Sequence, residues 1–340
     1  MSANFTSLSD SDKALVIFQT AQRVQLPPNV VEKDWWVTAV LRAVAGTSCS
    51  EYISFKGGTS LSKAWGLIER FSEDVDLAIS PSFFDIIPTT RSQRLRLRKE
   101  CRRFLTNELL IEIANRLNDM GISGFEVAPV SMFGDEKIDG DKDPTVLLIK
   151  YKSVLDNTLQ YVLPTVKLEI SCLSMTEPLE NRSLSSLIAQ QFPQIEDSNV
   201  IEMATVVPTR TFLEKAFLLN EEYQKQKPRS LRMSRHLYDL ERLMDTRFAR
   251  EALRDTALYH SVMEHRRAFY ALKYVDYDAN SSSRIQLVPP FKYLSEWQED
   301  YSQMRKTFIY GNSLPFDDLI GRIKQLQERF RTLSSCDNAQ

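Results

Sequence analysis

The sequence has little that marks a zinc-binding, secreted or membrane-spanning protein. Its four cysteines, Cys49, Cys101, Cys172 and Cys336, lie far apart. None makes the CxxC or Cys/His spacing of a zinc site, so reduced thiols of a cytoplasmic protein are expected. The first residues, MSANFTSLSDSDKAL, carry no basic stretch followed by an apolar one, and no signal peptide is expected. No run approaches the roughly 18 uncharged apolar residues of a membrane span. Positive charge is not in excess either. Lys and Arg number 43 against 45 Asp and Glu, a net charge of −2. The molecule as a whole is therefore no basic nucleic-acid binder, and any such surface must be a local patch. There is no internal repeat and no long low-complexity run.

What is present is a globular balance, 43% hydrophobic and 26% charged residues over 340 positions. That suits two modest domains, or one with a helical extension. Helical spacing predicts a helix over 9–23, capped by Ser9 and with Leu15, Phe18 and Ala21 on its apolar side. A second follows over 30–45. A short strand at 52–55 leads through Lys56-Gly57-Gly58 into a helix from about Ser60 to Ile68. Asp74 to Ile79 alternates polar and apolar, as a half-buried strand does. A long amphipathic helix is expected over 91–119, its apolar face formed by Leu95, Phe104, Leu105, Leu109 and Ile113. Strands near 125–133 and 145–152 flank an acidic turn-rich tip, and 164–173 alternates again. Beyond about residue 180 strand signals fade. Helices are expected at 211–226, 234–247, 248–258, 259–273 and 315–333, with a loop-rich stretch before the last.

The chemistry gathers between Phe55 and Ile79. A glycine pair, Gly57-Gly58, lets backbone approach a phosphate without Cβ interference. Free N–H groups and the Thr59 or Ser60 hydroxyl at the following helix start favour an anion. Asp74 and Asp76 stand two apart on a strand, so their carboxylates share a face. Crowded carboxylates repel unless a cation sits between them. Mg²⁺ prefers a few carboxylates completed by substrate phosphates. A third carboxylate is expected on a neighbouring strand, and Glu169 in Val166-Lys-Leu-Glu-Ile-Ser fits, sharing its face with Lys167 and Ser171. Each part alone has an ordinary reading: a solvated strand face, a simple turn. Their combination at this spacing points to metal-assisted phosphoryl chemistry.

In the helical half, Thr211 and Glu214 have capping-box spacing. Lys215 would then lie near a helix N-terminus, a poor place for a cation unless a phosphate is nearby; the alternative is a solvated lysine. Ser234 is expected to cap the next helix, where His236 and Asp239 share a face. Asp239 could accept from Arg235 or His236, or contact a nucleotide. His260 and His265 read as structural. Arg91, Arg94, Arg96, Arg98, Lys99, Arg102 and Arg103 crowd one helix, as a phosphate-binding face would; a solvated face or a protein contact remains open.

The run GGTSLSKAWGLIERFSEDVDLAI resembles the signature of the AbiEii/AbiGii-type nucleotidyltransferase toxins. VEKDWWVTAVL, VKLEIS, RTFLEKAFLL and SRHLYDLERL resemble further family blocks in the same order, over about residues 30–245. The resemblance implies an α+β fold, with a polymerase β-like nucleotidyltransferase core of mixed sheet and an α-helical C-terminal domain. On that basis 1–180 is expected to be the nucleotidyltransferase domain and 181–340 the helical domain that completes the cleft. The resemblance implies Mg²⁺ or Mn²⁺, an NTP substrate, and a cognate antitoxin encoded nearby. Gly58, Thr59 and Ser60, with Gly57, would bind the triphosphate. Asp74 and Asp76 would bind metal, with Glu169 as third carboxylate. Lys215 would contact phosphate, and Asp239 would be a second essential acid. The expected acceptor is the 3′ end of tRNA. A protein hydroxyl, or NTP binding without turnover, are the competing readings.

Overall fold

The structure is a computed structural model describing residues 4–72, 74–132, 143–155, 163–195 and 200–337. Most of the expected acidic tip, 133–142, lies outside the described residues. The chain divides into two compact units. One comprises Met1–Ala64 and Ser72–Thr205, the other Trp65–Phe71 and Val206–Gln340. Among the described residues no helix is long and apolar enough to cross a membrane.

The first unit is α+β. In chain order it contains α1 (Asp10–Val24), α2 (Pro28–Ala45), β1 (Ile53–Lys56), α3 (Gly57–Lys63) and β2 (Asp74–Ile79). Next come α4 (Arg91–Phe104) and α5 (Leu110–Asp119), joined by a π turn, Leu105–Leu109. Then follow β3 (Phe125–Pro129), β4 (Thr145–Tyr151), β5 (Thr165–Ser171), β6 (Leu179–Leu184), α6 (Leu187–Gln191) and β7 (Ile201–Val206). The strands form a seven-stranded sheet in the order β3-β4-β5-β2-β1-β7-β6. It is mixed: β2 runs parallel to β5 and β1 parallel to β7, while β1/β2, β3/β4 and β4/β5 are antiparallel.

The centre of the sheet follows from alternation. Val75, Leu77 and Ile79 of β2 and Val166, Leu168 and Ile170 of β5 are fully buried. Burying each such side chain contributes about 1.5–3 kcal/mol. A slip of one residue would expose all of them, so the register of these two strands is strongly held. α2 packs through Trp35 and Trp36, and Trp36 stacks on Tyr151 of β4 at 4.6 Å between ring centroids.

Several sequence expectations need correction. Ser9 caps α1 by accepting from the Asp12 N–H, but Leu15 and Phe18 are exposed, and Val16, Ile17, Thr20 and Ala21 face the core. The helix after the glycine pair starts at Gly57, not Ser60, and stops at Lys63. Gly66, with φ of +62°, turns the chain away. In the arginine-rich helix the buried positions are Leu97, Cys101 and Phe104, not Leu95. β6 and β7 lie beyond the point where strand signals fade in the sequence.

The second unit is helical: α7 (Pro208–Tyr223), α8 (Ser234–Leu243), α9 (Arg247–Arg254), α10 (Thr256–His265), α11 (Leu294–Thr307) and α12 (Phe316–Asp337). Its core includes Phe212, Phe217, Trp297, Tyr301 and Phe330, with Phe212 stacked on Phe330. α11 occupies part of the stretch expected to be loop. His265 stacks on Phe269 at 4.3 Å.

Candidate active site

In the first unit the site lies on the polar side of β1, β2 and β5. Asp74 and Asp76 are half-buried beside the fully buried Val75 and Leu77. The parallel register sets Asp74 against Lys167 and Asp76 against Glu169. Across the other edge, Asp76 pairs with Lys56 of β1. Three carboxylates and two lysines therefore interleave on one face of three adjacent strands. Asp76 and Glu169, like charges directly opposed, are an unfavourable pair unless a cation relieves them.

Lys167 supplies part of that relief. Its Nζ lies 2.5 Å from Glu169 Oε1 and 3.6 Å from Asp74 Oδ1. Burial works against the ammonium, but Glu169 and Asp74 outweigh it and raise the Lys167 pKa. Among the described residues no group of three or more His, Cys, Asp or Glu is gathered tightly enough to hold a metal by itself.

The glycine turn abuts this face. Gly57 has φ of +76°, and a Cβ there would fall 2.0 Å from Asp76 Oδ2 and 2.8 Å from Asp76 Cβ. Only glycine admits both the left-handed backbone and the carboxylate against it. Thr59 and Ser60 are buried, and their hydroxyls donate to the Asp74 carbonyl and the Gly57 carbonyl. The Thr59 bond ties the turn to β2, and the Ser60 bond closes the turn on itself. Lys63 closes α3 onto α2 through Asp34, at 2.6 Å, and Asp34 also accepts from the Leu187 N–H. Glu32 accepts from Ser153 Oγ and the Val154 N–H. Through these bonds Glu32 and Asp34 of the VEKDWW block fasten α2 to its neighbours.

In the second unit Lys215, Asp239 and His236 come together, joined by Arg70. α7 begins at Pro208, three residues before the expected start. Thr211 is therefore inside the helix and is no cap; Glu214 accepts from Arg210 instead, at 3.0 Å. Lys215 is buried two turns in, and its Nζ donates to Asp239 Oδ2 at 2.8 Å. Ser234 makes no cap either: its hydroxyl donates to Asp300. Asp239 is fully buried and accepts from Arg70 through both oxygens, Nε to Oδ1 at 2.6 Å and Nη2 to Oδ2 at 2.7 Å. Arg70 and Lys215, from two other segments of the chain, thus clamp a carboxylate whose helical neighbours are Arg235 and His236.

Burial alone would raise the Asp239 pKa, but Arg70 and Lys215 hold it far below the carboxylate range. Burial, with Arg70 and Arg235 nearby, lowers the Lys215 pKa, while Asp239 works the other way. Burial and the surrounding cations keep His236 neutral, and its Nδ1 is buried without a hydrogen-bond partner among the described residues. Sequence reasoning missed Arg70. It lies within the signature run, but its partner is 169 residues away.

α4 carries a separate basic face. With Leu97, Cys101 and Phe104 turned inward, Arg91, Arg96, Lys99 and Arg103 are exposed and Arg94, Arg98 and Arg102 half-buried. Arg103 pairs with Glu100 at 3.0 Å.

The sequence matches the family described as nucleotidyl transferase AbiEii toxin, type IV TA system, over residues 40–322. The chain belongs to the AbiEii family. This AbiEii protein is accordingly a nucleotidyltransferase toxin of a type IV toxin–antitoxin system, with an NTP substrate and a cognate antitoxin. No curated protein matches it. Among solved structures it is similar to MenT4, the nucleotidyltransferase toxin Rv2826c from Mycobacterium tuberculosis H37Rv. The identity is 13% and the TM-score 0.43, over 93% of this chain and 98% of that one. No residue of the AbiEii chain takes its role from that likeness.

Proposed function

We propose that this protein transfers a nucleoside monophosphate from an NTP to the 3′ end of tRNA and so blocks translation. It would act in the cytoplasm as the toxin of a phage-defence or toxin–antitoxin pair. The observation that carries the reading is the face of β2 and β5: Asp76 opposite Glu169, Asp74 beside them, and Gly57 pressed against Asp76. The donor set is hard oxygen on rigid strands, which suits Mg²⁺ or Mn²⁺ bound by one or two carboxylates and completed by phosphate oxygens. Asp74 and Asp76 would hold the ion, and Glu169 would complete the acidic face. When bound, the ion neutralises charge on the phosphates and the leaving pyrophosphate.

The chain's own residues supply position and charge. The Gly57–Gly58 turn, fastened by Thr59 and Ser60, brings backbone close to the triphosphate. An acceptor hydroxyl attacks the α-phosphorus, its proton passing to Glu169; the new O–P bond forms as the bond to pyrophosphate breaks. Lys215, oriented by Asp239, neutralises the phosphates, and positioning with electrostatic stabilisation supplies most of the acceleration. The arginines of α4 support a nucleic-acid acceptor, because the guanidinium fork matches phosphate better than ammonium does.

Purified protein is incubated with total tRNA, Mg²⁺ and each α-labelled NTP in turn. Label on tRNA is expected, and identifies the nucleotide. Label on protein instead would replace tRNA with a protein hydroxyl as acceptor. NTP binding with no label anywhere would make the protein a binding module.

A further inference from the structure

We propose that Arg70 is a positioning residue: its guanidinium locks the Asp239 carboxylate so that Asp239 aims the Lys215 ammonium at phosphate. The proposal rests on the reading of Lys215 as a phosphate contact.

The placement of Arg70 is built from several directions. It belongs to Trp65–Phe71, the short stretch that joins the helical unit although it lies between α3 and β2 in sequence. The Phe71 N–H donates to the Phe308 carbonyl at 2.7 Å, and the Tyr310 N–H to the Glu69 carbonyl at 3.0 Å. Arg70 itself forms an antiparallel bridge with Ile309. The Glu69 N–H donates to Tyr238 Oη of α8, one residue before Asp239, at 3.2 Å. Trp65 Nε1 donates to the Val206 carbonyl at 3.2 Å. Backbone on both sides of Arg70 is thus fastened to the unit that carries Lys215 and Asp239.

The chemistry explains why a guanidinium stands here. The terminal torsion of an aspartate is broad, so one hydrogen bond does not set both oxygens. A fork of two parallel N–H groups does. Oδ1 and Oδ2 of Asp239 both meet Arg70, and Oδ2 also receives Lys215 Nζ. Fixing Oδ2 fixes the point to which a flexible four-carbon side chain is tethered. A lysine at position 70 would keep the charge and lose the fork.

The groups around Lys215 are Asp239, Arg70, Arg235 and His236. Arg70 lowers the Lys215 pKa and Asp239 raises it. Removing the Arg70 charge should therefore move Lys215 titration to higher pH, and Asp239→Asn should move it lower.

The test uses full-length Arg70→Met, Arg70→Lys, Lys215→Met and the Arg70→Met/Lys215→Met double variant. It combines transfer kinetics with NMR titration of ¹³C-labelled lysine Cε, Lys215 being assigned by the signal that disappears in Lys215→Met. Arg70→Met is expected to lower kcat/KM by about a hundredfold. Arg70→Lys should not rescue it, and Lys215 should titrate at higher pH in Arg70→Met. In the Lys215→Met background, Arg70→Met should add less than about a twofold further loss. Folded Arg70→Met or Arg70→Lys with native kcat/KM would overturn the proposal. So would an Arg70→Met defect that persists in full without Lys215. If Arg70→Met does not fold, Arg70→Lys decides through the same kinetics. If Lys215→Met alone keeps native activity, the phosphate role of Lys215 fails. The Lys215 titration in Arg70→Met then judges the lock by itself, and an unmoved titration would refute it.

Discussion

Gly57 is constrained twice, by its backbone conformation and by the carboxylate against it. Its left-handed φ costs any other L-residue about 1–2 kcal/mol. A Cβ would also collide with the whole Asp76 side chain, not merely its tip. Gly57→Ala is expected to remain folded, lose about 1–3 kcal/mol of stability and fall at least about a hundredfold in kcat/KM as Asp76 is displaced. Thermal unfolding and transfer rates check this, and a native rate in the alanine variant would break the link between the turn and the carboxylate. At this scale the sequence is informative where spacing is short. Two aspartates on a strand have to share a face, and they do. Thr211 shows the limit: T-x-x-E has capping-box spacing, but Pro208 at the first helical position starts α7 earlier. The pairing of Arg70 with Asp239 depends on long-range folding and leaves no local pattern.

Among the elements, α4 bears the acceptor question. Its buried stripe of Leu97, Cys101 and Phe104 leaves most of its circumference cationic. Arg96→Glu with Arg103→Glu should weaken tRNA binding and flatten its salt dependence, by about one unit of slope for each phosphate no longer neutralised. Binding measured at several salt concentrations gives both quantities; unchanged affinity and slope would remove α4 from the acceptor site. Legibility differs among elements for physical reasons. β2 and β5 alternate cleanly because one face is core and the other carries charge. β6 is a largely exposed edge strand, so burial imposes no pattern on Leu179–Leu184. β7 does carry a signal, Ile201 and Met203 at period two, in a segment with helical territory on its C-terminal side. α11 buries Trp297, Tyr301 and Met304 at helical spacing, but three buried positions in fourteen make a thin stripe after Pro289-Pro290. The periodicity over 91–119 suits one helix, whereas the π turn between α4 and α5 shifts which leucines face inward.

For the whole molecule, a net charge of −2 coexists with two local excesses of opposite sign: the carboxylates of β2 and β5, and the arginines of α4. Global composition is blind to both, while the motif order along the chain is not. What composition and periodicity do not reveal is the partition of the signature run itself. Gly57 to Ala64 and Ser72 to Ile79 belong to the sheet unit, and Trp65–Phe71 to the helical one. One contiguous motif thus contributes the glycine turn and the paired aspartates to one unit, and Arg70 to the other. The proposed role of Asp74 and Asp76 in holding the ion for nucleotidyl transfer stands or falls with Asp76→Ala. Pyrophosphate release from NTP is followed with Mg²⁺ and acceptor present, beside circular dichroism to establish the fold. A folded variant with turnover reduced by about a thousandfold or more is the expected result; a folded variant turning over at the native rate would take Asp76 out of the reaction.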